Sequence, residues 1–184
     1  MAGTRVVLTG GECTGKTTLA AVLAERFLTS WVPEAARRYA ASTKAALSAA
    51  TVAPIARLAM RMHDEATDAR PSLLFLDTDL ISTVVYSRHY YGHCEQWIVD
   101  EAAARRAELY LLGAPDLPWT PDGVRDRPTH RAELFEQFSR TLDEFGARKV
   151  IVHGTGADRT ELAVRAVEAL LAERASATRR PSGH

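Results

Sequence analysis

Cysteine is scarce, with only Cys13 and Cys94 in 184 residues. Two cysteines so far apart give neither a metal-type spacing nor a disulfide framework. Net charge is absent too, because 23 lysines and arginines balance 23 aspartates and glutamates. Without an excess of either sign there is no summed field to draw the chain to nucleic acid or to an anionic membrane, so any bound anion must be held by local groups. No early apolar segment has the character of a signal peptide or a membrane span, which makes the cytoplasm the expected compartment. Internal repeats are missing as well. What remains is an ordinary hydrophobic content of 46%, suited to one domain expected over residues 1–173. Residues 174–184 are expected to be a flexible tail, since Ser, Arg, Pro and Gly there leave no apolar face.

Against that plain background one stretch stands out, Gly10-Gly11-Glu12-Cys13-Thr14-Gly15-Lys16-Thr17-Thr18. It fits the pattern Gly, four residues, Gly-Lys-Thr. A β-branched and aliphatic run, Val6-Val7-Leu8, precedes it, and a helical pattern from Thr18 to Glu25 follows. Strand, glycine-rich loop and helix in that order make a phosphate cradle, because the glycines let backbone N–H groups turn inward and the helix dipole favours an anion. Residues 10–18 are therefore the expected nucleoside-triphosphate-binding segment, with Lys16 bridging the β- and γ-phosphates and Thr17 ligating Mg²⁺. Cys13, inside this loop, is read as a filler residue. His89 and His93 stand four apart with Gly92 between them and no accompanying acidic ligand, and are read as surface or pocket-rim residues.

Strand-like runs recur at 5–9, near 30–32, at 73–76, at 109–112 and at 149–152, with helical patterns between them. This alternation predicts a three-layer α/β/α fold of the P-loop NTPase class, built on a five-stranded parallel sheet. The stretch from Glu34 to Arg70 reads as two helices, the second starting near Pro54, and this hairpin is a candidate wall for an acceptor site. A closing amphipathic helix is expected over Glu161–Arg174. Residues 113–130 carry Pro115, Pro118, Pro121 and Pro128 and read as a lid whose arginines, Arg125 and Arg127 with Arg131 just beyond, reach over the phosphates.

The strand Leu73-Leu74-Phe75-Leu76 ends in Asp77-Thr78-Asp79, at the carboxyl edge of the sheet beside the phosphate loop. Asp77 is the residue favoured for chemistry and for Mg²⁺, while Asp79 is also suited to cap the helix starting near Leu80. Glu34 follows the second strand directly. It either orients an acceptor hydroxyl or complements the dipole of the next helix, and Arg37 and Arg38 one turn on either pair with it or reach a phosphate. Together these are the parts for phosphoryl transfer: an amide cradle, Lys16, a metal held by Thr17 and Asp77, a carboxylate near the acceptor, and mobile arginines. The guanine-reading Asn-Lys-x-Asp motif of Ras-type GTPases is missing. Thr78 splits the acidic pair that motor-type and AAA ATPases usually place side by side.

The loop at residues 10–18, Pro33-Glu34-Ala35-Ala36-Arg37-Arg38-Tyr39, Phe75-Leu76-Asp77-Thr78-Asp79, Tyr90-Tyr91-Gly92 and residues 115–125 together resemble the ribosylnicotinamide kinase domain of the NadR family. The likeness runs from the first strand to about Leu171. It implies ATP-dependent phosphorylation of the 5′-hydroxyl of nicotinamide riboside, giving nicotinamide mononucleotide for NAD salvage. Bifunctional members add an adenylyltransferase domain with a His-x-Gly-His signature, and some add a DNA-binding segment. This chain starts directly at the kinase strand, so a stand-alone kinase is expected. The candidate catalytic set is then Lys16, Glu34, Asp77, Arg125 and Arg127, and the acceptor set is Glu34, Arg37, Asp77, Asp79, Tyr90, Trp119 and Asp122. Trp119 and the Tyr90-Tyr91 pair either stack on a cationic ring or pack the core and lid. A kinase of another nucleoside-like small molecule and a nucleotide-binding regulatory ATPase are the rival readings. The outer helices serve a core or a homo-oligomer equally well.

Overall fold

The computed structural model describes residues 3–44, 46–118 and 130–179. Its elements in chain order are β1 (Thr4–Thr9), α1 (Lys16–Arg26), β2 (Trp31–Val32), α2 (Ala35–Thr43), α3 (Ala49–Asp68) and β3 (Leu73–Asp77). They continue with α4 (Leu80–Tyr91), α5 (Gln96–Ala104), β4 (Leu109–Gly113), α6 (Arg131–Glu144), β5 (Lys149–Val152) and α7 (Gly156–Arg179). The five strands form one parallel sheet in the order β2-β3-β1-β4-β5.

The apolar runs that marked the strands are continuous rather than alternating because both faces of the sheet are covered. Val7, Leu74, Leu76, Tyr110 and Leu112 face a core closed by α2 to α6. Val6, Leu8, Phe75, Leu109 and Leu111 face a second core closed by α1 and α7. This is the three-layer α/β/α arrangement of a P-loop NTPase. Chain order reverses around β1, which has β3 on one side and β4 on the other. The crevice where ligands bind in such sheets therefore opens at the carboxyl ends of these three strands.

Two helices differ from expectation. The second helix of the 34–70 region begins at Ala49, not near Pro54, which sits inside α3. The start is fixed by Thr51, whose hydroxyl accepts from Ser48 N–H at 3.0 Å and donates to the Ser48 carbonyl at 2.9 Å. Pro54 then costs the helix one hydrogen bond near its beginning, and the long apolar face beyond it, with Ile55, Ala56, Ala59 and Met62 buried, outweighs that loss. The last helix is longer than Glu161–Arg174, spanning Gly156–Arg179, so it takes up residues 175–179 of the segment expected to be a flexible tail. Of the expected lid, 113–118 and 130 are described. Trp119, Asp122, Arg125 and Arg127 lie outside the described residues. Among the described residues no helix is long and apolar enough to cross a membrane.

Candidate functional site

The phosphate loop connects β1 to α1. Gly10 has φ +127°, and a Cβ there would stand 3.0 Å from the Gly113 carbonyl oxygen, so the crossing against β4 requires glycine. Gly15, at φ +76°, is the N-cap of α1. Lys16 Nζ donates to the Gly11 carbonyl at 2.6 Å, and Thr14 Oγ1 donates to the same oxygen at 2.9 Å. Thr18 is exposed on the first turn of α1.

Three other elements grip this loop. From α4, Tyr86 donates its hydroxyl to the Gly10 carbonyl at 3.1 Å, and Tyr90 donates to Glu12 Oε1 at 3.0 Å. From the start of α6, Arg131 donates to the Leu117 carbonyl at 2.9 Å and to the Cys13 carbonyl at 3.4 Å. From α7, Arg159 donates to the carbonyls of Thr14 at 2.9 Å, Ala114 at 3.2 Å and Gly154 at 2.9 Å, and to Asp116 Oδ1 at 2.7 Å. Asp116 Oδ2 in turn accepts from Gly154 N–H at 2.6 Å.

Across the crevice, Thr17 Oγ1 donates to Asp77 Oδ2 at 2.5 Å. Asp77 Oδ1 is buried and has no hydrogen-bond partner among the described residues. Burial holds the Asp77 carboxyl above the usual carboxylate range, against the opposing pull of the Thr17 hydroxyl and Lys16; Glu34 pushes it further up and Arg37 draws it down. Lys16, Thr17, Glu34 and Arg37 thus all act on the Asp77 carboxyl at one sheet edge. A buried carboxylate oxygen left unpaired beside a hydroxyl is what a hard divalent cation would satisfy, so the donor set fits Mg²⁺.

Thr78 turns the chain between the two carboxylates at φ +68°, a strained conformation for a β-branched residue that costs on the order of 1–3 kcal/mol. The turn sends Asp79 the other way. Asp79 caps α4, with Oδ1 accepting from Ser82 N–H at 3.2 Å, while its Oδ2 takes the Tyr110 hydroxyl at 2.7 Å. Burial raises its carboxyl as well, with these hydrogen bonds drawing it back. Asp79 borders the cavity described next, but its oxygens are committed to the helix cap and to Tyr110.

That cavity lies between the α2–α3 hairpin and α4, lined by Glu34, Ile55, His63, Thr78, Thr83, Tyr86, Tyr90 and Tyr91 among others. Glu34, 5% exposed, occupies the N-cap position of α2 without a side-chain cap bond, and its Oε2 accepts from Arg37 Nε at 3.1 Å. Glu34 therefore lines this cavity, whereas Asp77 meets Thr17 at the phosphate loop. The Tyr90 ring lies nearly parallel to Tyr86, with centroids 6.1 Å apart, and edge-on to His89 at 4.8 Å. His89 Nδ1 is 2.8 Å from Gln137 Oε1, and no group of three or more potential metal-ligating side chains occurs among the described residues.

Sequence reasoning missed Tyr86 and Arg159. The Tyr86–Tyr90 spacing of four residues on α4 was a usable signal, since it puts both hydroxyls on one helix face. Arg159 had none, because its partners other than Gly154 lie 43 to 145 residues away and the chain is rich in arginine.

A family profile described as "AAA domain" matches residues 5–159. The splitting of the acidic pair by Thr78 therefore does not set the chain apart from AAA proteins. The chain is 29% identical over 173 residues to the trifunctional NAD biosynthesis/regulator protein NadR of Salmonella typhimurium, covering 89% of this chain and 41% of that protein. To the protein of the same name in Escherichia coli it is 30% identical over 150 residues, covering 76% and 37%. The chain thus spans about two fifths of the length of these relatives. Among solved structures, a NadR protein in complex with NR superposes with a TM-score of 0.80 at 25% identity, over 92% of this chain and 51% of that one. A NadR protein in complex with NAD and AMP-PNP gives 0.80 at 26%, over 92% and 49%. The likeness to thymidylate kinase from Ehrlichia chaffeensis, with a TM-score of 0.64 at 11% identity, over 92% of this chain and 100% of that one, is one of fold.

Proposed function

The chain belongs to the AAA domain family, and on that premise we propose that it is an ATP-dependent small-molecule kinase that phosphorylates the 5′-hydroxyl of nicotinamide riboside, giving nicotinamide mononucleotide. One observation carries the reading: at the mouth of the phosphate loop Asp77 gives one oxygen to Thr17 at 2.5 Å, and its second oxygen is buried with no hydrogen-bond partner among the described residues. Beside that mouth lies the cavity whose wall includes Glu34. A metal–phosphate site and an acceptor cavity that share an edge are the arrangement for direct transfer from one ligand to the other.

In this reading Thr17 and Asp77 hold Mg²⁺, which when bound neutralises phosphate charge. The loop amides and Lys16 bind the β- and γ-phosphates. The acceptor hydroxyl oxygen forms a bond to the γ-phosphorus as the bond from that phosphorus to the bridging oxygen breaks, leaving ADP. Glu34, on the acceptor wall, orients the hydroxyl and takes its proton. Tyr86, Tyr90 and Tyr91 give the cavity an aromatic wall suited to a cationic ring. The relatives' names and the NadR complexes with NR and with AMP-PNP support the choice of acceptor and donor.

The test is ADP release from Mg·ATP by the purified chain, with and without nicotinamide riboside and beside a panel of ordinary nucleosides, with product mass recorded. Strong stimulation by nicotinamide riboside and a product one phosphate heavier are expected. Stimulation by a different nucleoside would keep the kinase and discard this acceptor; no stimulation by any acceptor would refute the kinase.

A further inference from the structure

Glu12 is a physical oddity. It is a carboxylate, 6% exposed, in the middle of a loop built to attract anions. Its Oε1 accepts from the hydroxyl of Tyr90 at 3.0 Å, 78 residues along the chain, and the ring of that tyrosine lines the acceptor cavity. One turn earlier on α4, Tyr86 holds the Gly10 carbonyl at 3.1 Å and lines the same cavity. Between these two grips lies the Gly11 carbonyl, which receives Lys16 Nζ at 2.6 Å. Lys16 has three donors, so it can meet a phosphate while it holds that carbonyl, and the peptide that α4 flanks on both sides is part of the nucleotide cradle.

We propose that the Tyr90–Glu12 hydrogen bond links the two halves of the site, so that acceptor and nucleotide each raise the other's affinity; this rests on the kinase reading above. An acceptor packed on the Tyr90 ring fixes that partly exposed side chain. The fixed hydroxyl holds the Glu12 carboxylate toward α4 and away from the entering phosphates. Nucleotide that arrives second then meets a Glu12 side chain already ordered, with the loop's one opposing charge drawn aside. Linkage makes the effect reciprocal. One hydrogen bond to a charged acceptor sets its size at about tenfold in either affinity.

The experiment is calorimetric titration of AMP-PNP with Mg²⁺ into the full chain, with and without saturating nicotinamide riboside, for the wild type, Tyr90→Phe, Glu12→Ala and Glu12→Gln. Tyr90→Phe keeps the aromatic wall and removes only the donor. The wild type is expected to bind the analogue about tenfold more tightly when the acceptor is present. Tyr90→Phe and Glu12→Ala are expected to lose that gain. Glu12→Gln keeps a smaller gain, since its amide oxygen still accepts from Tyr90 but carries no charge. A role confined to stability would shift melting temperatures without changing the ratio of the two affinities. An equal gain in the wild type and Tyr90→Phe, or no gain in the wild type while turnover with nicotinamide riboside is intact, would overturn the linkage and leave the kinase standing. A wild type that neither binds nor phosphorylates nicotinamide riboside overturns both.

Discussion

Replacing Arg159 by leucine should cost more than any surface arginine could. The residue is 5% exposed and donates to three backbone carbonyls, those of Thr14, Ala114 and Gly154, as well as to Asp116. Leucine fills part of the volume but donates nothing. The bonds to Thr14 and Ala114 are buried, and each orphaned carbonyl costs about 1–2 kcal/mol. The Asp116 side chain is 36% exposed and turns to water, so losing that ion pair adds little. The sum is about 2–4 kcal/mol, or roughly 5–15 °C in melting temperature for a chain of this size. Asp116→Asn, by contrast, should cost about 1 kcal/mol or less. Thermal unfolding followed by circular dichroism measures both. The same variant should weaken AMP-PNP binding at a temperature where it is fully folded, because the Thr14 carbonyl is no longer held. A leucine variant melting within about 2 °C of the wild type would refute the assignment of Arg159 as an anchor of the loop.

Asp77→Asn should leave the unliganded protein as stable as the wild type or slightly more so near neutral pH, since burial disfavours the charge there. Phosphoryl transfer should fall by roughly a hundredfold or more through loss of the proposed metal ligand; turnover together with urea midpoints separates the two effects. Tyr110→Phe removes the hydroxyl that donates to Asp79 and accepts from Ala107 N–H at 3.1 Å. It should cost about 2–4 kcal/mol in urea unfolding, and a loss well under 1 kcal/mol would show that this network does not stabilise the fold. His63, on the cavity wall, has its pKa lowered from 6.5 to about 4, chiefly by burial and also by the nearby Arg5 and Arg105, with Asp64 opposing. The unfolded chain therefore takes up the proton first, and the stability that neutral His63 contributes, about 3 kcal/mol, is complete above pH 6.5 and lost as pH falls from 6.5 to about 4. Asp77 and Asp79, with raised folded values, act in the opposite direction, so the measurement is the difference in urea midpoint between wild type and His63→Gln across that window. Parallel pH profiles for the two proteins would refute it.

What the sequence revealed and what it concealed divide by distance along the chain. The phosphate loop, the strand ending at Asp77 and the Asp79 cap are local features, each written within a few residues in hydrophobic period, glycine spacing and cap chemistry. The five strands were legible for the same reason, since both sheet faces are buried and the apolar runs are unbroken. Pro54 misled because proline is favoured in the first turn of a helix, whereas here the Ser48–Thr51 start sets the boundary and a buried face carries the helix past the proline. Glu34 could not be resolved from spacing, because it holds the helix-start position and borders the proposed acceptor cavity at once. Arg159 was invisible. Nothing near it in sequence shows that three carbonyls and a carboxylate converge on it, and only the folded topology of α7 against the loop creates that need.

Those hidden contacts account for how a glycine-rich loop becomes a binding site before any ligand arrives. Glycine gives the loop access to the required backbone angles, but the same freedom makes it disordered unless something fixes it. Tyr86, Arg131 and Arg159, from three different helices, draw the carbonyls of Gly10, Cys13 and Thr14 to themselves. Each peptide is planar and trans, so a carbonyl drawn one way turns the next residue's N–H the other way. The amides of Gly11, Thr14 and Gly15 are thereby turned away from these anchoring groups. The ordering cost is met during folding rather than on binding, which is what preorganisation means for an anion site in a chain with no net charge to offer. Nucleotide affinity in this protein should therefore depend on residues well outside the Gly-x-x-x-x-Gly-Lys-Thr pattern, and the three anchors should contribute to it although none belongs to the motif.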